Sequence, residues 1–296
     1  MNREEMLQNE ILKKRPYLIK REKYMDPIEQ EKQSAWEAEN DEVKTLLNDG
    51  ADKYFKQEFP DLKHSFLSKL ECVVCMDEGT AHKDYGGESK FCMAGSGILF
   101  PANSEEERIQ KVAKMFIDLG ISEVTSHGGC GAAGLAYKRD FPDAKSTTPE
   151  QIEEYAKNWA RKVAEEMGRL GHEENFGHIA TEEMERPAEF HVARVVYYDC
   201  IGGFNPNKEI GLPMGFVIER KHEPAEYAQE ELKVAADIAF GHHGFGDRFS
   251  KDLPFVIIVL AASQDEVQNI KKQIEETLKE NKNLKEGKIK IDGAVV

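Results

Sequence analysis

The sequence predicts an α/β protein with a mainly parallel β-sheet flanked by helices. Short apolar runs alternate with capped amphipathic segments, which is the pattern of an open parallel sheet. Hydrophobic residues make up 40% of the 296-residue chain and charged residues 32%, so the chain can form a packed core. Two of the apolar runs end in loops that carry cysteine and histidine. In a parallel sheet such loops meet at the carboxyl ends of the strands, where sites form.

The predicted strands are apolar runs bounded by polar residues or glycine. They cover residues 67–76, 90–93, 121–126, 190–198, 214–218 and 255–262. The run 214–218 follows a loop rich in glycine, asparagine and proline, which favours a hairpin with 190–198. A turn, 94–97, follows the second strand and contains two glycines, which favours a close backbone approach.

The predicted helices have recognisable first and last residues. Ser104 and Glu107 form a capping box, and Gly120 ends the helix that they begin. Thr148 and Pro149 begin a long helix in the same way. The remaining predicted helices cover residues 41–59, 132–138, 223–240 and 264–281.

Two regions are predicted along the chain. Residues 1–45 are heavily charged and have only weak apolar spacing at Met6, Ile11, Leu18 and Ile19, which indicates an N-terminal helical arm. That arm is either solvated or wrapped around a partner subunit. Residues 46–296 are expected to form a single α/β domain, in which the sequence shows no internal repeat.

The net charge of −15 argues against non-specific binding to nucleic acid and against adhesion to anionic membranes. No apolar run reaches the roughly 20 residues that span a bilayer. The first residues contain no apolar signal core. We therefore expect a cytoplasmic protein.

Three side chains are candidates for one metal site. Cys75 follows the first predicted strand, and His127 and Cys130 follow the third. The two glycines between His127 and Cys130 allow a sharp turn, so that both side chains can face one point. Thiolate and imidazole are ligands that zinc prefers, and a catalytic zinc has three protein ligands and an open position. The chain has five cysteines, an odd number that does not suggest a disulfide framework.

Asp77 lies two residues after Cys75 and therefore points to the same side of an extended segment. It can occupy the fourth metal position or accept a hydrogen bond from water at the metal. Two thiolates neutralise Zn²⁺, so this ion would acidify its water less than a zinc held by three histidines. An acceptor such as Asp77 would then help to hold the hydroxide.

Three other interpretations of these residues stay open at this stage. Cys75 can be an ordinary core cysteine, because free cysteines are commonly buried. Cys72, Cys75, His127 and Cys130 can form a closed structural site, although Cys72 and Cys75 should face opposite sides of a strand. The glycine-rich turn after the third strand can cradle a phosphate, although it lacks the usual lysine.

The motifs Cys75-Met76-Asp77, Ala94-Gly95-Ser96-Gly97 and Ser126-His127-Gly128-Gly129-Cys130-Gly131, in this order, resemble those of the β-class carbonic anhydrases. The resemblance extends over about residues 46–220 and leaves 221–296 as a strand–helix extension. It implies a β-carbonic-anhydrase-like fold and a zinc ion bound by Cys75, His127 and Cys130. It also implies a homodimer or higher homo-oligomer with the active site at a subunit interface.

The same resemblance implies reversible hydration of carbon dioxide to bicarbonate by zinc-bound hydroxide, with Asp77 as the catalytic aspartate or as a fourth ligand. The family pattern is C-x-D-S-R, but this chain has Glu78-Gly79 in place of Ser-Arg. The arginine that pairs with the aspartate is therefore absent from its expected position. Lys83, Arg161 or a residue of another subunit are the candidates to replace it.

Further titratable residues are considered for proton transfer. Glu78 is a solvated loop charge, or else a proton acceptor or an altered substrate contact beside the site. His82 is the preferred proton shuttle. His242 and His243 are expected to be exposed, with a second metal or a shuttle as alternatives. The expected activity is that of a carbonic anhydrase-like zinc lyase. The alternatives are a hydrolase of carbonyl sulfide or carbon disulfide and a non-catalytic zinc-stabilised interaction protein.

Overall fold

The computed structural model describes residues 26–86, 89–144 and 146–296, so most of the predicted arm lies outside the described residues. The chain divides into two compact units between Glu39 and Asn40, a few residues before the predicted boundary at 45. In the first unit, helix α1 (Pro27–Ala38) begins after Asp26, whose side chain accepts a hydrogen bond from the Ile28 amide at 3.2 Å.

The second unit contains two four-stranded, all-parallel sheets, which confirms the predicted α/β class. The first sheet has the order β2-β1-β3-β4, and the second has the order β6-β5-β7-β8. The strands are β1 (Cys72–Val74), β2 (Lys90–Cys92), β3 (Glu123–His127), β4 (Asn175–Ile179), β5 (Val195–Asp199), β6 (Gly215–Ile218), β7 (Phe255–Ala261) and β8 (Ile289–Val295).

The two sheets have the same strand order, although the sequence shows no repeat. In each sheet the strand that comes first in sequence lies between the second and the third. Cys75 follows β1 and His127 is the last residue of β3. The corresponding strands of the second sheet, β5 and β7, end in Tyr198-Asp199 and Ala261, which are neither cysteine nor histidine. The candidate site therefore belongs to the first sheet.

The predicted hairpin is wrong, because β6 pairs with β5 in parallel. The sequence also gave no indication of β4 or β8. β4 is an exposed edge strand, and β8 carries Gly293 and several partly buried residues, so neither has a continuous apolar run. Residues 221–296, expected as an extension, supply β7 and β8, and β7 is an inner strand of the second sheet.

Helices cover the sheets, as the capped amphipathic segments predict. The helices that begin at Ser104 and Thr148 have these residues as N-caps, and Gly120 ends the first in the left-handed conformation. The predicted capping box at Ser104 forms only in part, because the Glu107 carboxylate accepts from the Asn103 amide. The helices of the second unit are α2 (Asn40–Asp49), α3 (Ala51–Glu58), α4 (Glu78–Ala81), α5 (Glu105–Leu119), α6 (Gly131–Asp140), α7 (Pro149–Arg169), α8 (Ala225–Phe240), α9 (Gln264–Leu278) and α10 (Lys282–Lys285). Among the described residues, no helix has the length and apolar composition needed to cross a membrane.

The segment predicted as one helix over 41–59 is broken at Gly50, which has a φ of 78°. The two pieces, α2 and α3, precede β1 in sequence but pack against the second sheet. The Ala51 amide donates to Asp292 Oδ2 at 3.1 Å, and the Val295 amide donates to Asp52 Oδ1 at 3.1 Å. The two sheets also meet where the Val217 amide donates to the Met76 carbonyl at 3.1 Å, beside the candidate site.

Candidate metal centre

Cys75, His127 and Cys130 lie together at the carboxyl end of the first sheet. Cys75 directly follows β1, His127 is the last residue of β3, and Cys130 is the residue before α6. All three are buried, and one ligand atom of each lies within 4.8 Å of the others. The fold thus forms a three-residue group that can hold a metal ion.

Hydrogen bonds fix the orientation of His127 and Cys75, the two candidate ligands nearest the sheet. His127 Nδ1 donates to the Gly128 carbonyl at 2.8 Å, which leaves Nε2 buried without a partner among the described residues. A metal-binding histidine is usually held in this way by its other ring nitrogen. The Gly95 amide donates to Cys75 Sγ at 3.2 Å. The unpartnered Nε2 and the oriented thiol fit a bound cation.

The turn Ala94–Gly97 is what places the Gly95 amide. Gly95, Ser96 and Gly97 all have positive φ, between 54° and 87° for the glycines and 52° for Ser96. Ser96 Oγ donates to the Thr125 carbonyl at 2.6 Å, and Trp159 Nε1 donates to the Ser96 carbonyl at 2.9 Å. The tight turn predicted from the glycines is therefore held by β3 and α7.

The two thiols differ in acidity when no metal is bound. Burial, and then the neighbouring Cys130, raise the pKa of Cys75 well above its usual value. A hydrogen bond from Cys75 is the largest of the effects that lower the pKa of Cys130. Burial lowers the pKa of His127, but the charges of Cys75 and Asp77 outweigh it and raise that pKa. A metal ion that binds here displaces the proton between the sulfurs.

The geometry contradicts one alternative interpretation of the motif, the four-ligand site that includes Cys72. Cys72 lies in the hydrophobic cluster with Val195 and Tyr197, with its Sγ 3.9 Å from the Ser89 carbonyl, so it faces away from the three ligands. The turn after β3 is packed at Gly128, where an added Cβ would lie 2.2 Å from Thr181 Oγ1, but it is open at Gly129, so a phosphate at this turn stays an untested alternative.

Asp77 is paired with an arginine that the sequence motif did not indicate. Arg186 Nε and Nη2 donate to Asp77 Oδ1 and Oδ2 at 2.9 and 3.0 Å. The Gly79 amide donates to Oδ1 at 2.8 Å, so Asp77 also begins helix α4. Burial raises the pKa of Asp77, but the charges of Arg186 and His191 outweigh it and hold that pKa far below its usual value. Asp77 is therefore ionised.

The two replacements expected from within the chain, Lys83 and Arg161, do not pair with Asp77. Lys83 Nζ donates to the Glu183 carbonyl, and Arg161 lies over the ring of Phe176. Arg186 instead occupies the space beside Gly79, where an added Cβ would lie 2.7 Å from Arg186 Cγ. Glycine at position 79 is thus required for the arginine to reach Asp77 from position 186.

Glu78 is fully buried, so it is not a solvated loop charge. Its carboxylate accepts a hydrogen bond from the Val192 amide at 2.8 Å and lies 3.1 Å from His191 Nδ1. Arg186 Nε is 3.9 Å from the same carboxylate. Asp77, Glu78 and His191 also lie within reach of a common point, but the guanidinium of Arg186 beside both acids disfavours a second cation there.

His82 lies away from these groups and is half-buried. Its Nε2 accepts a hydrogen bond from the Gly215 amide at 3.2 Å. Burial, together with the charge of Lys90, lowers the pKa of His82 to about 3. A neutral ring with its Nε2 engaged by backbone does not fit the expected proton shuttle.

We expect the low pKa of His82 to make the protein less stable in acid. In the unfolded chain His82 has a pKa of about 6.5, so below that pH it binds a proton there but not in the folded chain. Between pH 7 and pH 5 this removes about 2 kcal/mol of stability. Urea unfolding at both pH values checks this. His82→Gln, which keeps an acceptor for Gly215, should lose about 2 kcal/mol less on acidification, and an equal loss in both proteins would contradict the assignment.

A cavity of about 700 Å³ opens beside the metal centre. One wall comes from the first sheet layer through α6 and α7, and the other from α8 and the segment before β5. The lining is mainly apolar and also includes the buried polar residues Arg186 and His191. The cavity is lined by Gly129, Cys130, Gly131, Gly134, Leu135, Lys138, Pro149, Ile152, Arg186, Ala188, Glu189, Phe190, His191, Val234, Asp237, Ile238, Gly241, His242 and His243.

His242 and His243 are exposed, as predicted, and both line the cavity. Their ring centroids are 3.9 Å apart. The His243 carbonyl accepts a hydrogen bond from the His191 amide at 2.6 Å, which ties this loop to the segment before β5. Among the described residues they belong to no group of metal-binding geometry.

Sequence reasoning missed Arg186 and His191, which lie more than a hundred residues after Asp77 and Glu78. Arg186 lies in a segment without periodicity, and His191 lies at the start of the predicted strand 190–198, which in the structure begins only at Val195. The only signal is the clustering of arginine, histidine and phenylalanine around Pro187, directly before a strong strand. Such a cluster does not reveal which acids it will meet.

Comparison of the chain with protein-family models, with curated proteins and with solved structures finds no match. The geometry of the site and the sequence motifs therefore carry the functional argument.

Proposed function

We propose that this protein is a zinc-dependent enzyme that interconverts carbon dioxide and bicarbonate. The observation that carries the proposal is the ion pair of Asp77 with Arg186 beside the group Cys75, His127 and Cys130. An aspartate held in this way is an acceptor for a water molecule rather than a metal ligand. The resemblance to β-class carbonic anhydrases assigns that role to the aspartate, and Arg186 supplies its missing partner.

Cys75, His127 and Cys130 would hold the ion. Two thiols and an imidazole form a donor set typical of zinc, and three protein ligands are typical of a catalytic site. A zinc ion held there would supply a water nucleophile that is more acidic than free water, though less so than water on a zinc held by three histidines. Gly95 and Gly128 contribute by orienting Cys75 and His127, as their hydrogen bonds indicate.

Asp77 would orient the reacting water. A carboxylate has about four acceptor positions, and the described residues use two on Oδ1 and one on Oδ2. Oδ2 therefore retains capacity for one more donor. Because Arg186 keeps Asp77 ionised, the carboxylate accepts a hydrogen bond and does not compete for water by donating one.

The cavity suits a small neutral substrate. Leu135, Ile152, Phe190 and Ile238 line it, and carbon dioxide is apolar and linear. Groups from both sheet layers of one chain form its walls, so the proposal does not depend on a second copy. A homodimer or higher oligomer, and a location in the cytoplasm, stay predictions.

The test is stopped-flow hydration of carbon dioxide by the zinc-loaded protein, between pH 7 and pH 9. We expect catalysis well above the rate of Cys75→Ala and of the metal-stripped protein. Metal content is measured on each sample, so that loss of activity can be matched to loss of metal. No rate above that of Cys75→Ala in a fully loaded sample would reject the proposal.

The two alternative functions predict different results when the same samples are also assayed with carbonyl sulfide and carbon disulfide. A hydrolase would release hydrogen sulfide from carbonyl sulfide, or from carbon disulfide, faster than it hydrates carbon dioxide. A zinc-stabilised interaction protein would bind metal but catalyse neither reaction. The pairing of both Asp77 oxygens with Arg186 argues against that case, because it keeps Asp77 from closing the metal shell.

A further inference from the structure

We infer that His191, held by Glu78, is the residue that moves protons between the metal centre and the cavity. This inference rests on the proposed function and names a residue that the C-x-D and H-x-x-C motifs do not contain. It depends on three features of the structure: the carboxylate behind the ring, the charge of the cluster, and the opening of the ring to the cavity.

Glu78 fixes the orientation of the His191 ring. Nδ1 lies 3.2 and 3.1 Å from the two Glu78 oxygens and 3.6 Å from Asp77 Oδ2. Because both acids are buried and ionised carboxylates only accept hydrogen bonds, Nδ1 carries the hydrogen. The amides of His191 and Val192 are also bonded, to the His243 carbonyl and to Glu78. The ring is therefore held at its base, with Nε2 left to accept a proton.

The ring of His191 belongs to a buried cluster of charged side chains. Arg186 contributes one positive charge, and Asp77 and Glu78 contribute two negative charges, all buried. With a neutral ring the cluster carries a net negative charge, and with an imidazolium it is neutral. A proton that passes through the ring therefore moves beside a carboxylate in hydrogen-bond contact.

His191 lies between the metal centre and the cavity. It is close to Asp77 on one side, and it lines the same cavity as Cys130 and the exposed His243 on the other. Nδ1 is turned toward buried Glu78, so the Nε2 side of the ring is the side open to the cavity. Nε2 would take a proton from water held beside Asp77 and release it to cavity water, from which buffer base would accept it. The Nδ1–H bond to Glu78 stays intact throughout.

The first experiment reads the tautomer of the ring and does not depend on activity. We expect ¹⁵N-resolved NMR of the histidine rings to show His191 with hydrogen on Nδ1, in both the metal-free and the zinc-loaded protein. His191→Gln identifies the resonance. A neutral ring protonated on Nε2 would overturn the inference, whatever reaction the protein catalyses.

The second experiment separates proton transfer from chemistry, by exchange of ¹⁸O between carbon dioxide and water. We expect His191→Gln to lower the release of labelled water by at least roughly 100-fold, the lower end for general acid–base groups. Interconversion of carbon dioxide and bicarbonate should stay near wild type. Imidazole added to the buffer should restore the release, which a merely structural role of His191 would not allow. Glu78→Gln should show the same defect in weaker form.

His178 provides a matched control, because it is also a histidine paired with a glutamate. Its Nε2 is 3.1 Å from Glu153 Oε1, but it lies on β4 and does not line the cavity. His178→Gln should leave both exchange rates unchanged. An equal loss of both rates in His191→Gln, without rescue by imidazole, would overturn the shuttle alone. If the wild type shows no exchange at all, the proposed function fails, and with it the shuttle.

Discussion

Replacement of Cys75 by alanine is expected to remove the metal and, with it, the proposed activity. Loss of an outer-shell partner of a zinc ligand costs roughly 10–100-fold in metal affinity, and loss of a ligand should cost more. Only His127 and Cys130 would then remain as ligands. Because the free energy of metal binding also stabilises the fold, loss of the metal should lower stability as well. Metal content by mass spectrometry after dialysis, zinc titration against a chelator, and thermal unfolding with and without zinc measure the effect.

Cys72→Ala is the matched control for this experiment. Cys72 lies three residues earlier, is equally buried, and packs its thiol into the core on the other face of the strand. Its loss should lower stability by about 1 kcal/mol, as for an average substitution, and leave metal content unchanged. Equal loss of metal from both variants would favour the closed four-ligand site. Retention of metal in Cys75→Ala would reject the three-residue centre.

Replacement of Arg186 by alanine is expected to have the next largest effect. It leaves the buried Asp77 and Glu78 without their cation, and breaking a buried ion pair costs about 3–5 kcal/mol. Carbon dioxide hydration should fall by roughly 10–100-fold, as when other residues that hold a group beside a metal are removed. An unpaired Asp77 is also free to turn toward the metal. Denaturant unfolding and stopped-flow hydration of the same samples measure both effects.

Gly79 makes this prediction sharper, because positions 79 and 186 compete for one volume. Gly79→Arg alone should destabilise the protein by about 1–3 kcal/mol through overpacking against Arg186 and Met184. The double variant Gly79→Arg/Arg186→Ala returns an arginine to the position it has in the C-x-D-S-R motif. We expect it to be more stable than the sum of the single effects by about 0.5–3 kcal/mol, and to regain part of the activity. Strict additivity would show that the two positions do not share one role.

The sequence was sufficient for the elements whose signals are local. The caps at Ser104 and Thr148 gave the starts of α5 and α7, and the apolar run before Ala261 gave β7. The grouping of Cys75, His127 and Cys130 also followed, since strand order alone brings the ends of β1 and β3 together. Local hydrogen bonds and the alternation of side chains along a strand depend only on neighbouring residues, so they can be inferred from one chain.

The chemistry around Asp77 was decided by the tertiary structure alone. Glu78 looked like a loop charge and Gly79 like a lost arginine, because their partners lie more than a hundred residues further along the chain. Arg186 and His191 reach these acids only when the chain passes from β4 in one sheet to β5 in the other. The direction of β6 and the pairing of β8 likewise depend on contacts between distant segments. Which acid is buried, and which cation faces it, is a property of packing that no local pattern encodes.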